Sequence, residues 1–249
     1  MATDDELNKL SGEDVEVWAP VHAWRSLGQL GAKEAILPLI EGYFDQRYAD
    51  WAMEELPWVM GLIGESAIAP LAKHLSTRKN KVRGRVSALE SLDIIGRQNP
   101  DLKAVCLEKL AHQLSEYSRN PEEMNGFLVS SVIKLDGAQH AGLIEAVYQS
   151  GRIDETICGP WPSVQVDLGL AKEEDFDPEE LKLPRPEWAE VADRNSDKPT
   201  AFDLGVYKKG PKDESLDELS VVYGKGKLKF GKGKGGKSGA QKKKGFGQH

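Results

Sequence analysis

The string LGQLGAKEAILPL at Leu27–Leu39 returns as MGLIGESAIAPL at Met60–Leu71. Gly31 and Gly64 stand 33 residues apart, and the Ala-Ile-x-Pro-Leu that follows returns after 32. A period of this size marks a unit too small to bury its own apolar face, so neighbouring units must stack.

Each unit reads as a helical hairpin. In the first, Val21, Trp24, Leu27 and Leu30 recur at helical spacing, and Gly31 ends the helix because glycine tolerates the left-handed backbone of a helix C-terminus. A second helix follows, with Ala35, Ile36, Leu39, Ile40 and Phe44 on one face. Pro38 falls near its first turn, where a missing N–H costs least. The second unit repeats this with Ala52, Leu56, Val59 and Ile63, then Gly64, then Ile68, Pro70, Leu71 and Leu75. A third places Gly96 32 residues after Gly64, with Val86, Leu89, Leu92, Ile94 and Ile95 in the first helix and Leu102, Val105, Leu107 and Leu110 in the second. A fourth, less regular unit spans Gly126–Gly151, with Phe127, Val129, Val132, Ile133 and Leu135, then Leu143, Ile144 and Val147. No run alternates long enough for a sheet, so the expected fold is all-α: a short α-solenoid of about four hairpins.

The Leu-Gly-x-Leu-Gly…Ala-Ile-x-Pro-Leu strings resemble HEAT-like repeats of the short bacterial type found in phycobilisome lyases, over roughly residues 20–170. The segment GPWPSVQVDLGL (Gly159–Leu170) resembles the closing segment of some bacterial HEAT-like proteins. Those relatives often end in a Cys-rich zinc motif after a Gly/Lys-rich run, but the corresponding tail here holds no cysteine. The resemblance implies a HEAT-like helical array. In some members it also implies attachment or removal of bilin on phycobiliproteins.

Charge divides the chain. Residues 225–249 hold nine lysines and no acid, while residues 1–224 carry 24 basic against 40 acidic side chains. The expected organisation is an N-terminal extension over 1–19, the repeat array over 20–170, an acidic Pro-containing linker over 171–222 and a basic Gly/Lys tail over 223–249. Between Asp167 and Asp197 stand eleven acids and four bases, broken by Pro178, Pro184 and Pro186. So little apolar surface does not offset an ordering cost of about 1–2 kcal/mol per residue, so mostly disorder is expected there. A short helix is expected at Pro186–Ala192, with Trp188 as an anchor. Cys106 and Cys158, far apart and without CxxC spacing, exclude a disulfide framework or a cysteine zinc site and suit a reducing cytoplasm. Cys106 falls in an apolar register and is expected buried, whereas Cys158 lies between elements and is expected accessible. MATDDELNKL lacks a signal-peptide pattern, and no apolar run is long enough for a membrane span.

Chemistry-bearing motifs are sparse. Gly231–Ser238, GKGKGGKS, satisfies the P-loop spacing, but only 11 residues follow and no strand–helix context surrounds it, so no nucleotide site is expected. The five histidines show no metal-ligand spacing, and no acid/base pair or activated nucleophile emerges, so neither cofactor nor metal is expected. The expected function is a non-enzymatic protein-binding scaffold using the concave solenoid face. Trp24 and Trp58 sit in core register. Trp18 and Trp51 are candidates for the binding face, as rigid aromatics with large contact area. Arg78, Lys79, Lys81, Arg83 and Arg85 form a basic cluster in the turn between units two and three. A second reading gives the tail to nucleic acid or the ribosome, with Lys225, Lys227, Lys229, Lys232, Lys234, Lys237, Lys242, Lys243 and Lys244 on phosphates and Phe230 stacking on bases.

Overall fold

The computed structural model describes residues 1–10, 13–45 and 50–184, the side chains of Asp50 and Trp51 aside. Among these residues there is no strand. The helices are α1 (Trp18–Gln29), α2 (Ile36–Leu39, continuing as a π turn Ile40–Phe44), α3 (Asp50–Ile63), α4 (Glu65–Ser76), α5 (Val82–Gln98), α6 (Lys103–Ser115), α7 (Glu122–Lys134), α8 (Ala141–Gln149) and the short α9 (Glu155–Cys158) and α10 (Trp161–Asp167). No helix among the described residues is long and apolar enough to cross a membrane.

The punctuation in the first two units works as the repeat predicts. Gly31 has φ +62° and Gly64 φ +76°, backbone that disfavours any side chain. Around Gly31 the amide of Ala32 bonds the Leu27 carbonyl and that of Gly31 the Gly28 carbonyl, which closes the end of α1. Gly96 holds the same repeat position with another role. It lies inside α5, which runs on to Gln98 and stops before Pro100. A Cβ there would lie 2.9 Å from Leu135 Cδ2 and 3.1 Å from Cys106 Cβ. The third glycine therefore lets neighbouring elements approach closely, and terminates nothing.

Packing follows chain order. Helix α1 packs on α3, α3 on α5, α5 on α7 and α7 on α9, while α2, α4 and α6 contact one another in sequence. One apolar cluster runs from Val21 to Leu168, with Trp24, Phe44, Leu56, Leu71, Leu89, Leu110, Leu128 and Val164 among its buried members. At about 25 cal/mol per Å² of apolar surface removed from water, this shared core drives the assembly of helices too short to persist alone. The N-terminal segment belongs to it. Asn8 Nδ2 donates to Tyr43 Oη at 2.9 Å, and the Tyr43 hydroxyl donates to the Ala2 carbonyl.

Buried polar groups join the turns. Arg85 Nε donates to the Leu75 carbonyl (2.7 Å), and its Nη2 reaches Asn120 Oδ1 (3.3 Å). The same oxygen accepts from Gln113 Nε2 (2.9 Å), while Asn120 Nδ2 donates to the Gln113 carbonyl and to Asn125 Oδ1 (both 3.0 Å). Asn125 Nδ2 bonds the Arg152 carbonyl (2.6 Å), and Arg152 Nη2 returns to the Asn120 carbonyl (2.9 Å). Residues from α4 to the turn after α8 are thus connected through one asparagine.

Beyond α10 the described chain to Pro184 is largely exposed, with one 3-10 turn at Glu173–Asp175. The helix expected at Pro186–Ala192, the rest of the linker and the lysine tail lie outside the described residues.

Candidate functional site

The side-by-side packing of α3, α5 and α7 leaves an open cavity of about 300 Å³ between them. Met53 supplies one wall, Val82 and Val86 the floor, and Phe127 the far wall, with Arg83 and Glu123 at the edge. Val82 and Val86 share a face because they lie four residues apart on a helix, as do Glu123 and Phe127. Met53, Val82 and Phe127 are each only half-buried, so the groove leaves apolar surface in contact with solvent.

A cluster of charges continues along the same seam. Asp93 is 2% exposed, and Arg97 grips it bidentately at 2.9 and 3.0 Å, with Lys134 Nζ of α7 at 4.0 Å. Burial raises the Asp93 pKa against the pull of those two cations. Glu90, half-buried one turn beyond Val86, is pushed up to about 7, chiefly by burial. Lys134 opposes that shift and Asp93 adds to it. A carboxyl poised near neutrality can take up a proton or receive a cation.

The basic turn is built beside the groove. Thr77 Oγ1 donates to the Lys73 carbonyl (2.7 Å) and Asn80 Nδ2 to the His74 carbonyl (2.9 Å), which folds the loop ahead of α5. The Lys81 amide and Nζ both donate to Asp45, at 3.1 and 2.5 Å. Arg78 Nη2 lies 3.1 Å from Glu116 Oε2, an oxygen it shares with Arg119 at 2.9 Å. Those two arginines, Arg119 first, hold the Glu116 carboxyl below its usual value. Arg78, Lys79, Lys81 and Arg83 are exposed.

Arg85 leaves the cluster. It is 3% exposed, its guanidinium faces the interior, and it cannot meet a partner from outside. Trp18 is half-buried and packs on the core, away from the groove lining. The side chain of Trp51 and the tail residues from Lys225 to Lys244, Phe230 included, lie outside the described residues. Of the expected core tryptophans, Trp24 is 2% exposed and Trp58 half-buried.

The expectation that Cys158 is accessible fails. Cys158 is 5% exposed because Tyr148 covers it, the hydroxyl lying 3.2 Å from Sγ and donating to the Gly159 carbonyl at 2.5 Å. Burial pushes its thiol up to about 11 and that of Cys106 up to about 12, so neither is a ready nucleophile. His74 stacks edge-on against Phe44, with centroids 5.5 Å apart, and burial lowers its pKa. Among the described residues no three His, Cys, Asp or Glu side chains are grouped to hold a metal ion.

Reasoning on the sequence missed the groove and the Glu90 carboxyl. The signal for Glu90 was its position: it shares the Val86 face of a helix buried on most sides. No protein-family model, no curated protein and no solved structure matches this chain.

Proposed function

We propose that this chain is a non-enzymatic protein-binding module of HEAT-like hairpins, with the groove between α3, α5 and α7 as its contact surface. The observation that carries the reading is the half-buried apolar set Met53, Val82 and Phe127 around one open cavity. Apolar side chains left part-exposed in a concave site gain by burying a partner's side chain. The exposed Arg78, Lys79, Lys81 and Arg83 stand beside the α5 end of the groove and would select among partners by charge.

The test is affinity capture with the full chain and with Val82→Glu. An acid in the first turn of α5 suits the helix N-terminus but places a charge on the groove floor. A protein partner held by the wild type and lost by Val82→Glu, at unchanged helicity and melting temperature, supports the reading. Equal capture by both overturns it, and retention of only nucleic acid removed by salt overturns it and moves function to the lysine tail.

A further inference from the structure

The groove leads toward an unsatisfied carboxylate. Glu90 sits one turn along α5 from Val86 on the same face, half-buried, and its carboxylate makes no hydrogen bond or ion pair among the described residues. Of the two cations at the seam, Arg97 is held by Asp93 through two of its nitrogens, while Lys134, 4.0 Å from Asp93, acts on Glu90 only from beyond ion-pair distance. A partly buried charge without a partner is costly, and a cation brought from outside removes that cost. The wider field favours such a visitor, since residues 1–184 hold 31 acidic against 18 basic side chains. At the N-terminal end of α5 Arg83 lies at the groove edge together with Glu123, and the preceding turn carries Lys79 and Lys81.

We propose that the groove takes an amphipathic segment of a partner protein whose apolar side chains fill the channel of Met53, Val82, Val86 and Phe127, and whose lysine or arginine one helical turn further on pairs with Glu90. This inference rests on reading the groove as a protein-binding site and adds the chemistry of the partner. It also links binding to protons. Burial holds Glu90 near neutrality, whereas a paired cation draws it down, so binding expels a proton and strengthens as pH rises from 6 to 8. The charged groups acting on Glu90 are Lys134 from α7 and Asp93 from its own helix. No group of α3, α4 or α6 contributes among the described residues.

The test selects random peptides displayed on phage against the full-length chain at pH 8. Synthetic copies of the enriched peptides are then titrated against wild type, Glu90→Gln and Val82→Glu at pH 6 and pH 8. The expected winners pair two or more large apolar residues with a lysine or arginine. They bind Glu90→Gln about tenfold more weakly at pH 8, the loss of one charge-assisted pair, and the pH dependence disappears in that variant. Winners that bind Glu90→Gln as tightly as wild type but are lost on Val82→Glu overturn the role of Glu90 and leave the groove in place. Winners indifferent to Val82→Glu overturn the groove reading itself, and a selection that enriches nothing overturns both.

Discussion

Replacing Glu90 by glutamine removes a charge from the α5–α7 seam while keeping the shape of the side chain. The carboxyl titrates at about 7 in the folded protein against an ordinary 4.5. The sign follows from which state gives up its proton first. Below pH 4.5 both states keep the proton and Glu90 costs nothing. Between 4.5 and about 7 the unfolded chain ionises while the folded one resists, so stability is lost as pH rises through this window. A shift of about 2.5 units at about 1.4 kcal/mol per unit sets a ceiling between about 3 and 4 kcal/mol, and residual solvent contact brings the expected loss to roughly 1–3 kcal/mol. Glutamine carries no such penalty. Urea unfolding of wild type and Glu90→Gln at half-unit steps from pH 5 to pH 8.5 measures the difference, from which other titrating groups cancel. The advantage of the variant should grow from under about 1 kcal/mol at pH 5 to roughly 1–3 kcal/mol at pH 8, the latter about 2–12 °C in melting temperature for a domain of this size. Parallel pH profiles, with no growth in the gap, would show that Glu90 ionises freely and that the seam is solvated.

Other positions test the packing. Asn120→Ala removes the acceptor of Arg85 and Gln113 and the donor to Asn125 at one stroke; a loss of about 2–4 kcal/mol is expected from unfolding curves, with faster amide exchange in the turns on both sides. Gly84→Ala would place a Cβ 2.4 Å from Asp45 Oδ1 and 2.5 Å from the Phe44 carbonyl, so it should destabilise by about 2 kcal/mol or more. Gly142→Ala, with nothing within 4 Å on α8, should instead stabilise by about 0.5–1 kcal/mol, and the pair is read by thermal melts. Cys106 and Cys158 should resist a thiol reagent at pH 8 in the native protein and react together on unfolding, and fast labelling of Cys158 alone would contradict its cover by Tyr148.

The repeat could be read from sequence because local chemistry and global packing agree in its first two units. Gly31 and Gly64 sit where a helix must end, and Val21, Trp24, Leu56 and Val59 point one way because the apolar period is that of a helix. Gly96 shows where such reading stops. Its spacing fits the repeat, but whether a glycine ends a helix or admits a neighbour depends on Leu135 and Cys106, which arrive from other helices. Arg85 was hidden by its charge, although it shares the register of Leu89 and Leu92, four and seven residues on. A cation in such a register needs buried acceptors, and those come from Leu75 and from Asn120 35 residues away. Cys158 looked accessible because it lies between elements, and Tyr148 ten residues earlier reverses that. The groove has the same origin on a larger scale. Phe127 and Val86 read correctly as apolar positions, but an opening among α3, α5 and α7 depends on how far three helices stand apart, and no single helix encodes that distance. Glu90 lies between the two cases. Its stripe with Asp93 and Arg97, three and seven residues on, looks like a solvated face in isolation, and only the approach of α7 turns it into a seam where one carboxylate lacks a partner.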